Sequence, residues 1–535
     1  MSTRAVGGIS GAVPVRTERR RAAVRARGKR FKTWHKVALA LFAAGYVIVP
    51  TIVQAAHTHA PRSADQQVAA QYSVPIPHVR DDLVARLKAL PVDTTGTGPP
   101  IIMTYHNVTD DPSSPYSVKP EQFAAQMALL DAAGYTTITA SDLDRWLAGG
   151  KLPPHSVLLT FDDGILGVWQ YADKILAQHH QHAIAFVITG NVGTKASYYM
   201  TWPELERLQR SGRWDLESHT SKGHHYITVD AQRHQGPFMN NLQYLAAEHR
   251  VETLPEYTNR ITADLMRSQR DLRAHGADPV FFAYPFSANS SSPAVSAALA
   301  KTVSQLFRGA MLDEDGSAIT TPADTAAGNL RRVDVLWRTS LDDYVAHIES
   351  STLLPPASVP QPFTRPDLWT TASGKPYTPA LVGDELAVDP AQIASGSNWV
   401  GLQFAADRTA FWREFTIAAT LGGFQGKGDG TTTGLRVFSG SSAPVQVSLG
   451  WGSLQVRQGT YPHDTVLADD RLPPAAAYDV VVSVHANVLE VDVDGHPMAR
   501  MPMDPRVAVG GFELTGQRAH ATSPVPVVSK LAVRP

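Results

Sequence analysis

Val157-Leu158-Leu159-Thr160-Phe161-Asp162-Asp163-Gly164 decides how the centre of this chain is read. A short apolar run of strand type ends in two adjacent carboxylates and a glycine. In a parallel α/β sheet, polar groups at the C-terminal end of a strand face the pocket made by the loops that follow. Adjacent carboxylates repel each other unless a cation or a shared proton offsets the repulsion. A plain Asp-Asp-Gly surface turn accounts for the same letters, so the flanking sequence has to choose.

Working outward, similar apolar runs stand at 101–105, 183–189 and 280–284, with amphipathic stretches between them. Pro120 opens one such stretch, Phe123, Met127 and Leu130 recur at helical spacing, and Gly134 closes it. Thr201 and Glu204 have the spacing of a capping box before a helix ending near Gly212. Strand-helix alternation from residue 99 to about 354 predicts parallel strands with crossover helices, either an α/β barrel or a doubly wound sheet. The excursion 226–276 is longer than such a core needs, and its end carries Ile261, Leu265, Ser268 and Leu272 on one helical stripe.

Other strand ends are also polar. Glu217-Ser218-His219-Thr220-Ser221-Lys222-Gly223-His224-His225 follows the apolar segment 214–216. On a helix His219 and His224 would point about 140° apart, so joint ligation requires a loop, which Gly223 permits. With a carboxylate from another strand end they make a three-ligand set with positions open for water, as catalytic Zn²⁺ requires; a surface cluster of unrelated histidines competes with that reading. His106 ends the run at 101–105, and Pro285 in Tyr284-Pro285-Phe286 restricts Tyr284 to an extended backbone. The chain has no cysteine, which excludes disulfides, thiol nucleophiles and thiolate metal sites.

Charge divides the chain. A net charge of -1 over 535 residues combines a stretch 1–36 with eleven basic side chains against Glu18 and a remainder with 37 basic and 48 acidic groups. An acidic body disfavours nucleic acid as a partner. Residues 37–56 carry no charge and are long enough to cross a bilayer, and the positives before them predict a cytoplasmic N-terminus and an extracytoplasmic body. A cleaved signal peptide, with a site near Val53-Gln54-Ala55, is the rival to an uncleaved membrane anchor.

Residues 57–98 read as a stalk with one short helix near 80–90, and the five prolines in 353–366 read as a linker. Beyond it the pattern is all-β: Val480, Val482 and Val484 alternate, as do Leu489, Val491 and Val493, and Asp494-Gly495 signals a hairpin. Trp399, Trp412, Trp451 and Tyr461 are either core residues or sugar-stacking surfaces.

The strand-end motifs at His106, Asp162-Asp163, His219 to His225 and Tyr284 to Phe286, in that order, resemble the polysaccharide deacetylases with a NodB-homology domain (carbohydrate esterase family 4), in particular their circularly permuted branch. The resemblance implies a deformed (β/α) barrel over 99–352. The β-rich unit 367–535 more weakly resembles concanavalin A-like jelly-roll sandwiches, whose usual association is with carbohydrate. The family's chemistry implies Asp162 as general base, His106 as general acid, and Asp163, His219 and His224 as ligands of a divalent metal, Zn²⁺ with Co²⁺ or Ni²⁺ as alternatives. It further implies the Phe286 N–H as oxyanion donor, with Pro285 and Tyr284 beside it and His225 in support. Many members carry an arginine two residues before the motif proline to orient the base; here that residue is Ala283, so either Arg331 or Arg332 substitutes or nothing does. An aromatic residue often follows the motif glycine, where this chain has Ile165. The implied reaction is removal of N-acetyl groups from an extracellular N-acetylglucosamine polysaccharide. An O-acetyl esterase and a non-catalytic glycan-binding surface protein are the alternatives.

Overall fold

In the computed structural model, which describes residues 75–535 except 112–113, 196, 287–289, 291, 314–317 and 394–397, eight parallel strands make one sheet. They are β1 (Ile101–Tyr105), β2 (Thr136–Thr137), β3 (Ser156–Phe161), β4 (Ala183–Val187), β5 (Trp214–Ser218), β6 (Phe281–Ala283), β7 (Gly309–Asp313) and β8 (Asn329–Asp334). The order is β1-β8-β7-β6-β5-β4-β3, and β3 pairs back onto β1 from Ile101↔Val157 to Tyr105↔Phe161. Seven strands therefore close into a barrel, with β2 extending the N-terminal half of β3. Closure decides between the two α/β architectures that alternation alone left open.

The two-residue strand period sorts inside from outside. Ile102, Leu158, Ile184, Phe186, Phe281, Ala283, Met311 and Leu330 fill the barrel, whereas Met103, Tyr105, Val157, Leu159, Phe161 and Val187 face the helical layer. Carried past the strand ends, the same parity assigns His106, Asp162 and His219 to the inner side. The helices begin and end where the punctuation predicts. Pro120–Ala133 starts on its proline and stops at Gly134, which adopts φ 80°. Trp202–Arg210 starts under a capping box in which Glu204 accepts both the N–H and the hydroxyl of Thr201 at 2.6 Å.

The segment read as a stalk joins the body from Asp81 onward. Helix Asp81–Lys88 buries Leu83 and Leu87, four residues apart on one face, in the layer outside the barrel. Arg86 clamps Glu349 through two bonds of 3.0 and 2.8 Å, anchoring this helix to helix Leu341–Ser351. The proline-rich linker is likewise packed, because Leu354 and Val359 belong to the core of the C-terminal unit.

That unit is two antiparallel seven-stranded sheets around one apolar core. The expected hairpin joins Val488–Val493 to His496–Pro502, with Asp494 and Gly495 both at positive φ (51° and 75°). Of the four aromatic candidates, Trp412 is buried, Trp451 packs against the core, and Trp399 and Tyr461 are 40% and 84% exposed. The basic stretch 1–36 and the apolar stretch 37–56 lie outside the described residues. Among the described residues no helix is long and apolar enough to cross a membrane.

Two consequences can be measured. Leu83→Ala or Leu87→Ala should each lower the unfolding free energy in urea by about 2–5 kcal/mol, because each empties a fully buried site. Buried Glu217 accepts the N–H groups of Val280 and Phe281 at 2.8 and 2.7 Å, and burial pushes its carboxyl well above the usual range. A carboxyl raised on folding keeps its proton while the unfolded chain loses one, so stability declines as pH rises above the unfolded value. Glu217→Gln should therefore match the wild type in urea at pH 4 and be the more stable of the two at pH 8.

Candidate active site

Asp162, Asp163, His106, His219 and His224 meet at the C-terminal mouth of the barrel. Asp162 continues the inward parity of β3, and its N–H donates to the Tyr105 carbonyl across the β1–β3 seam at 2.9 Å. Asp163 then adopts φ 74°, a left-handed conformation uncommon for a residue with a side chain, and Gly164 follows at φ 74°. Thr220, after His219, is at φ 74° as well, so two sharp turns present the ligand side chains.

The long excursion supports the second turn. Asp264, on helix Leu254–Ala274, accepts the N–H groups of Ser221 and Lys222 at 2.9 and 2.8 Å and so fixes the loop that holds His224. From the other side the Gly190 N–H donates to Ser221 O at 2.8 Å, and a Cβ at Gly190 would come within 2.5 Å of that oxygen. His219 shares a hydrogen bond of 2.8 Å between Nδ1 and the Ala283 carbonyl, an arrangement that sends Nε2 toward Asp163. His106 is buried, rests on the Tyr116 ring at 4.8 Å, and lies near enough to Asp162, Asp163 and His224 to bias the ionisation of each.

Asp163 Oδ1 is 3.5 Å from His219 Nε2 and 3.4 Å from His224 Nε2, and the ligand atoms of all three residues lie within 4.8 Å of one another. Oδ1 is buried and, among the described residues, has no hydrogen-bond partner, a costly state for a carboxylate oxygen. Ligand separations near 3.4 Å match the edge of a tetrahedron with metal–ligand distances of about 2.1 Å. Burial pushes His224 down to about 4, against the pull of Asp163, which leaves it neutral and able to donate a lone pair. The three side chains fit a divalent cation.

Arginine 332 takes the place left open by Ala283. Its guanidinium grips both oxygens of Asp162 at 2.8 Å each and reaches Asp313 Oδ1 at 2.7 Å, and it is fully buried. Burial would push Asp162 up, but Arg332 and then His219 outweigh it and hold the carboxyl below its ordinary value. Asp313 goes the other way: burial, opposed by Arg332 and reinforced by the Asp162 charge, pushes it up to about 6. Arg331, one residue earlier and of opposite parity, instead binds Asp324 at 2.8 Å outside the site.

The remaining expectations divide. The Phe286 ring packs on His224 at 4.5 Å and on Tyr226 at 5.0 Å, which puts this residue, at φ 65°, on the rim of the site. Tyr284 is core, edge-on to Phe282 at 5.0 Å beneath the outer helices, and buried Pro285 links the two. His225 is exposed, with Nδ1 2.7 Å from the Lys222 carbonyl and its ring on Phe238, outside the ligand set. Ile165 is buried and bridges to Tyr199. Sequence reasoning missed Asp313 and Asp264. Asp313 was legible as an inward position ending an apolar run; Asp264, on a mostly polar helix, carried no local signal.

Residues 149–303 match the family model for polysaccharide deacetylase. That stretch runs from just before β3 through β6, so this part of the barrel is of the polysaccharide deacetylase type. Its match begins after His106 and ends before Arg332, so barrel closure brings those two residues to the site. Over 203 residues the chain is 28% identical to the poly-β-1,6-N-acetyl-D-glucosamine N-deacetylase of Escherichia coli (strain K12), covering 35% of this chain and 30% of that protein. Over 148 residues it is 26% identical to the protein of the same name from Staphylococcus epidermidis, covering 27% and 50%. The chain thus spans between about a third and a half of the length of these curated relatives. Among solved structures it is similar to IcaB from Ammonifex degensii, with 26% identity, 47% of this chain and 97% of that one covered, and a TM-score of 0.36.

Removing the arginine from this deacetylase domain should separate the two candidates. Arg332→Ala leaves Asp162 and Asp313 buried without their cation and should cost about 3–5 kcal/mol in urea unfolding, whereas Arg331→Ala, which breaks a partly exposed pair, should cost about 1 kcal/mol or less.

Proposed function

We propose that this protein hydrolyses N-acetyl groups on a β-1,6-linked N-acetylglucosamine polysaccharide, using a divalent metal held by Asp163, His219 and His224. The observation that carries the reading is Asp162, held ionised by Arg332 beside an acceptor-rich Asp/His/His set with an orphaned carboxylate oxygen. The names of the relatives support N-acetylglucosamine polymer as the substrate class.

An amide is a weak electrophile with a poor leaving group, so its hydrolysis needs an electrophilic aid, a base and an acid together. A divalent cation at the Asp163/His219/His224 set supplies Lewis acidity toward the acetamide carbonyl and acidifies water. Asp162 takes the proton of the attacking water, and Arg332 keeps its oxygens oriented for that transfer. His106, on the β1 side of the mouth, delivers a proton to the departing nitrogen. The Phe286 N–H donates to the oxygen that becomes negative in the tetrahedral state. Products are acetate and a glucosamine unit.

The same reading puts the body outside the cytoplasm, with residues 1–36 inside and 37–56 in the membrane, on the strength of the charge asymmetry.

Acetate release tests it. The protein should release acetate from a β-1,6-linked N-acetylglucosamine pentasaccharide, lose that activity with dipicolinate, and regain it with Zn²⁺, Co²⁺ or Ni²⁺. Asp162→Asn and His106→Ala should each lower kcat by about 10²–10⁴, and Asp163→Ala should abolish stoichiometric Zn²⁺ binding in calorimetry. Activity that survives both chelation and Asp163→Ala would overturn the reading, and preference for an O-acetylated xylan would replace the amide by an ester.

A further inference from the structure

At the N-terminal end of the barrel strands, opposite the mouth, lies a cavity of about 410 Å³ that neither the barrel nor the β-rich unit makes alone. Three segments wall it. The first is 91–99, ahead of β1. Asp93 accepts the N–H groups of Thr95 and Gly98 at 2.9 and 2.7 Å, Leu152 donates its N–H to the Gly96 carbonyl at 2.9 Å, and Trp146 Nε1 donates to the Thr97 carbonyl at 3.0 Å. Gly96 is at φ 68°, and a Cβ there would come within 2.5 Å of the Leu152 carbonyl oxygen, so only glycine lets this segment lie against the barrel. The second wall is the proline-rich connection at 351–356, and the third is 408–414 of the β-rich unit. Leu354 donates its N–H to the Arg408 carbonyl at 2.8 Å, and Trp412 Nε1 donates to the Leu354 carbonyl. Each wall is pinned by its own hydrogen bonds, and the cavity is preformed.

The lining is rich in rings. Tyr135 and His155, with centroids 5.0 Å apart, come from the barrel end, and Phe411 and Trp412 from the other side. Among them stands a cation without a counter-ion. Arg408 is half-buried, and its Nε donates to the Thr352 carbonyl at 2.8 Å. A guanidinium carries five N–H donors, of which that bond uses one. Among the described residues neither terminal nitrogen of Arg408 has a hydrogen-bond partner, and no carboxylate lies within ion-pair reach. The acids whose charge it feels are committed elsewhere: Arg365 grips Asp367 at 3.1 and 2.8 Å, and Arg86 grips Glu349. Asp93 and Glu414, on the walls, accept backbone N–H groups instead. Burial, and after it the Arg365 charge, pushes the Arg408 guanidinium down from its ordinary value. Strapping the two units together accounts for the Nε bond. It does not account for a guanidinium drawn partly out of water with both terminal nitrogens unused.

We propose that this cavity binds a small aromatic carboxylate, whose two oxygens accept from the terminal nitrogens of Arg408 while its ring lies among Tyr135, His155 and Phe411. Two parallel N–H bonds to a carboxylate are what a guanidinium offers and an ammonium does not. Ring faces favour a flat ring as their partner. Ile101 and Ser156, on the cavity wall, begin β1 and β3, whereas the Asp162 and Asp163 pair follows the end of β3, so the occupant is no substrate of the deacetylation. The proposal stands whether or not that reading does. Bound there, the ligand touches barrel, connection and β-rich unit together and fastens the joint between them.

Calorimetry on the full chain tests the site, with 2-naphthoate as the probe and 2-naphthamide as its uncharged counterpart. Naphthoate should bind about tenfold or more tighter than naphthamide, and saturating naphthoate should raise the thermal transition. Arg408→Gln should weaken naphthoate about tenfold or more while leaving naphthamide binding as it was, which shows that the cavity has kept its shape. Arg408→Lys, with the charge but not the fork, should fall between, and Phe411→Ala should weaken both probes. Naphthoate that fails to bind, binds no tighter than naphthamide, or binds Arg408→Gln as tightly as the wild type overturns the site. Equal affinity of naphthoate for wild type and Phe411→Ala overturns the placement of the ring. Acetate release is measured alongside and should be the same in the Arg408 variants as in the wild type, so its absence throughout would count against the deacetylase reading and leave this site standing.

Discussion

Arg332, buried between Asp162 and Asp313, is the interaction on which the rest of the site depends. A carboxyl taken out of water is pushed toward its neutral form, which cannot accept a proton. The guanidinium reverses that for Asp162 through two parallel bonds, a geometry lysine cannot reproduce. The effect is selective. The same cation leaves Asp313 raised to about 6, because burial, reinforced by the charge of Asp162, outweighs it there. Three strands supply the three groups, and only a closed barrel sets β8 beside β1 and β1 beside β3.

Around that centre, strain and support are matched. Asp163 and Thr220 occupy left-handed backbone positions that cost free energy in isolation. Barrel and excursion hold the second of them: Asp264 binds two loop amides, Ser221 meets Gly190, and the Ala283 carbonyl fixes His219. Residues 226–276 are therefore part of how the Asp163/His219/His224 set is shaped. Ala283 serves twice, its small side chain lining the barrel interior that Arg332 enters and its carbonyl orienting a ligand.

How much was legible follows from the range of each interaction. Asp162-Asp163 and the His219/His224 pair stood out because each is a local string at the end of an apolar run. Pro120, Gly134 and the Thr201–Glu204 box marked helix ends correctly because caps are satisfied within one turn. Arg331 and Arg332 were indistinguishable as letters; one residue of strand parity turns the first to Asp324 and the second into the barrel. Asp313 was missed because the strand ending in it was not recognised. The stalk proved to be packed from Asp81 because two leucines four apart find a partner surface that composition does not reveal.

Sequence by itself determined the α/β and all-β halves, the chemistry of the strand-end residues, and the exclusion of thiol chemistry, since periodicity, capping and residue type act over a few neighbours. The tertiary structure alone decided that the parallel strands close, which arginine holds Asp162, and which of the candidate tryptophans meets solvent. Each of those depends on residues far apart in the chain being brought into register by strand pairing, and the one-residue difference between facing in and facing out cannot be settled until the pairing partners are known.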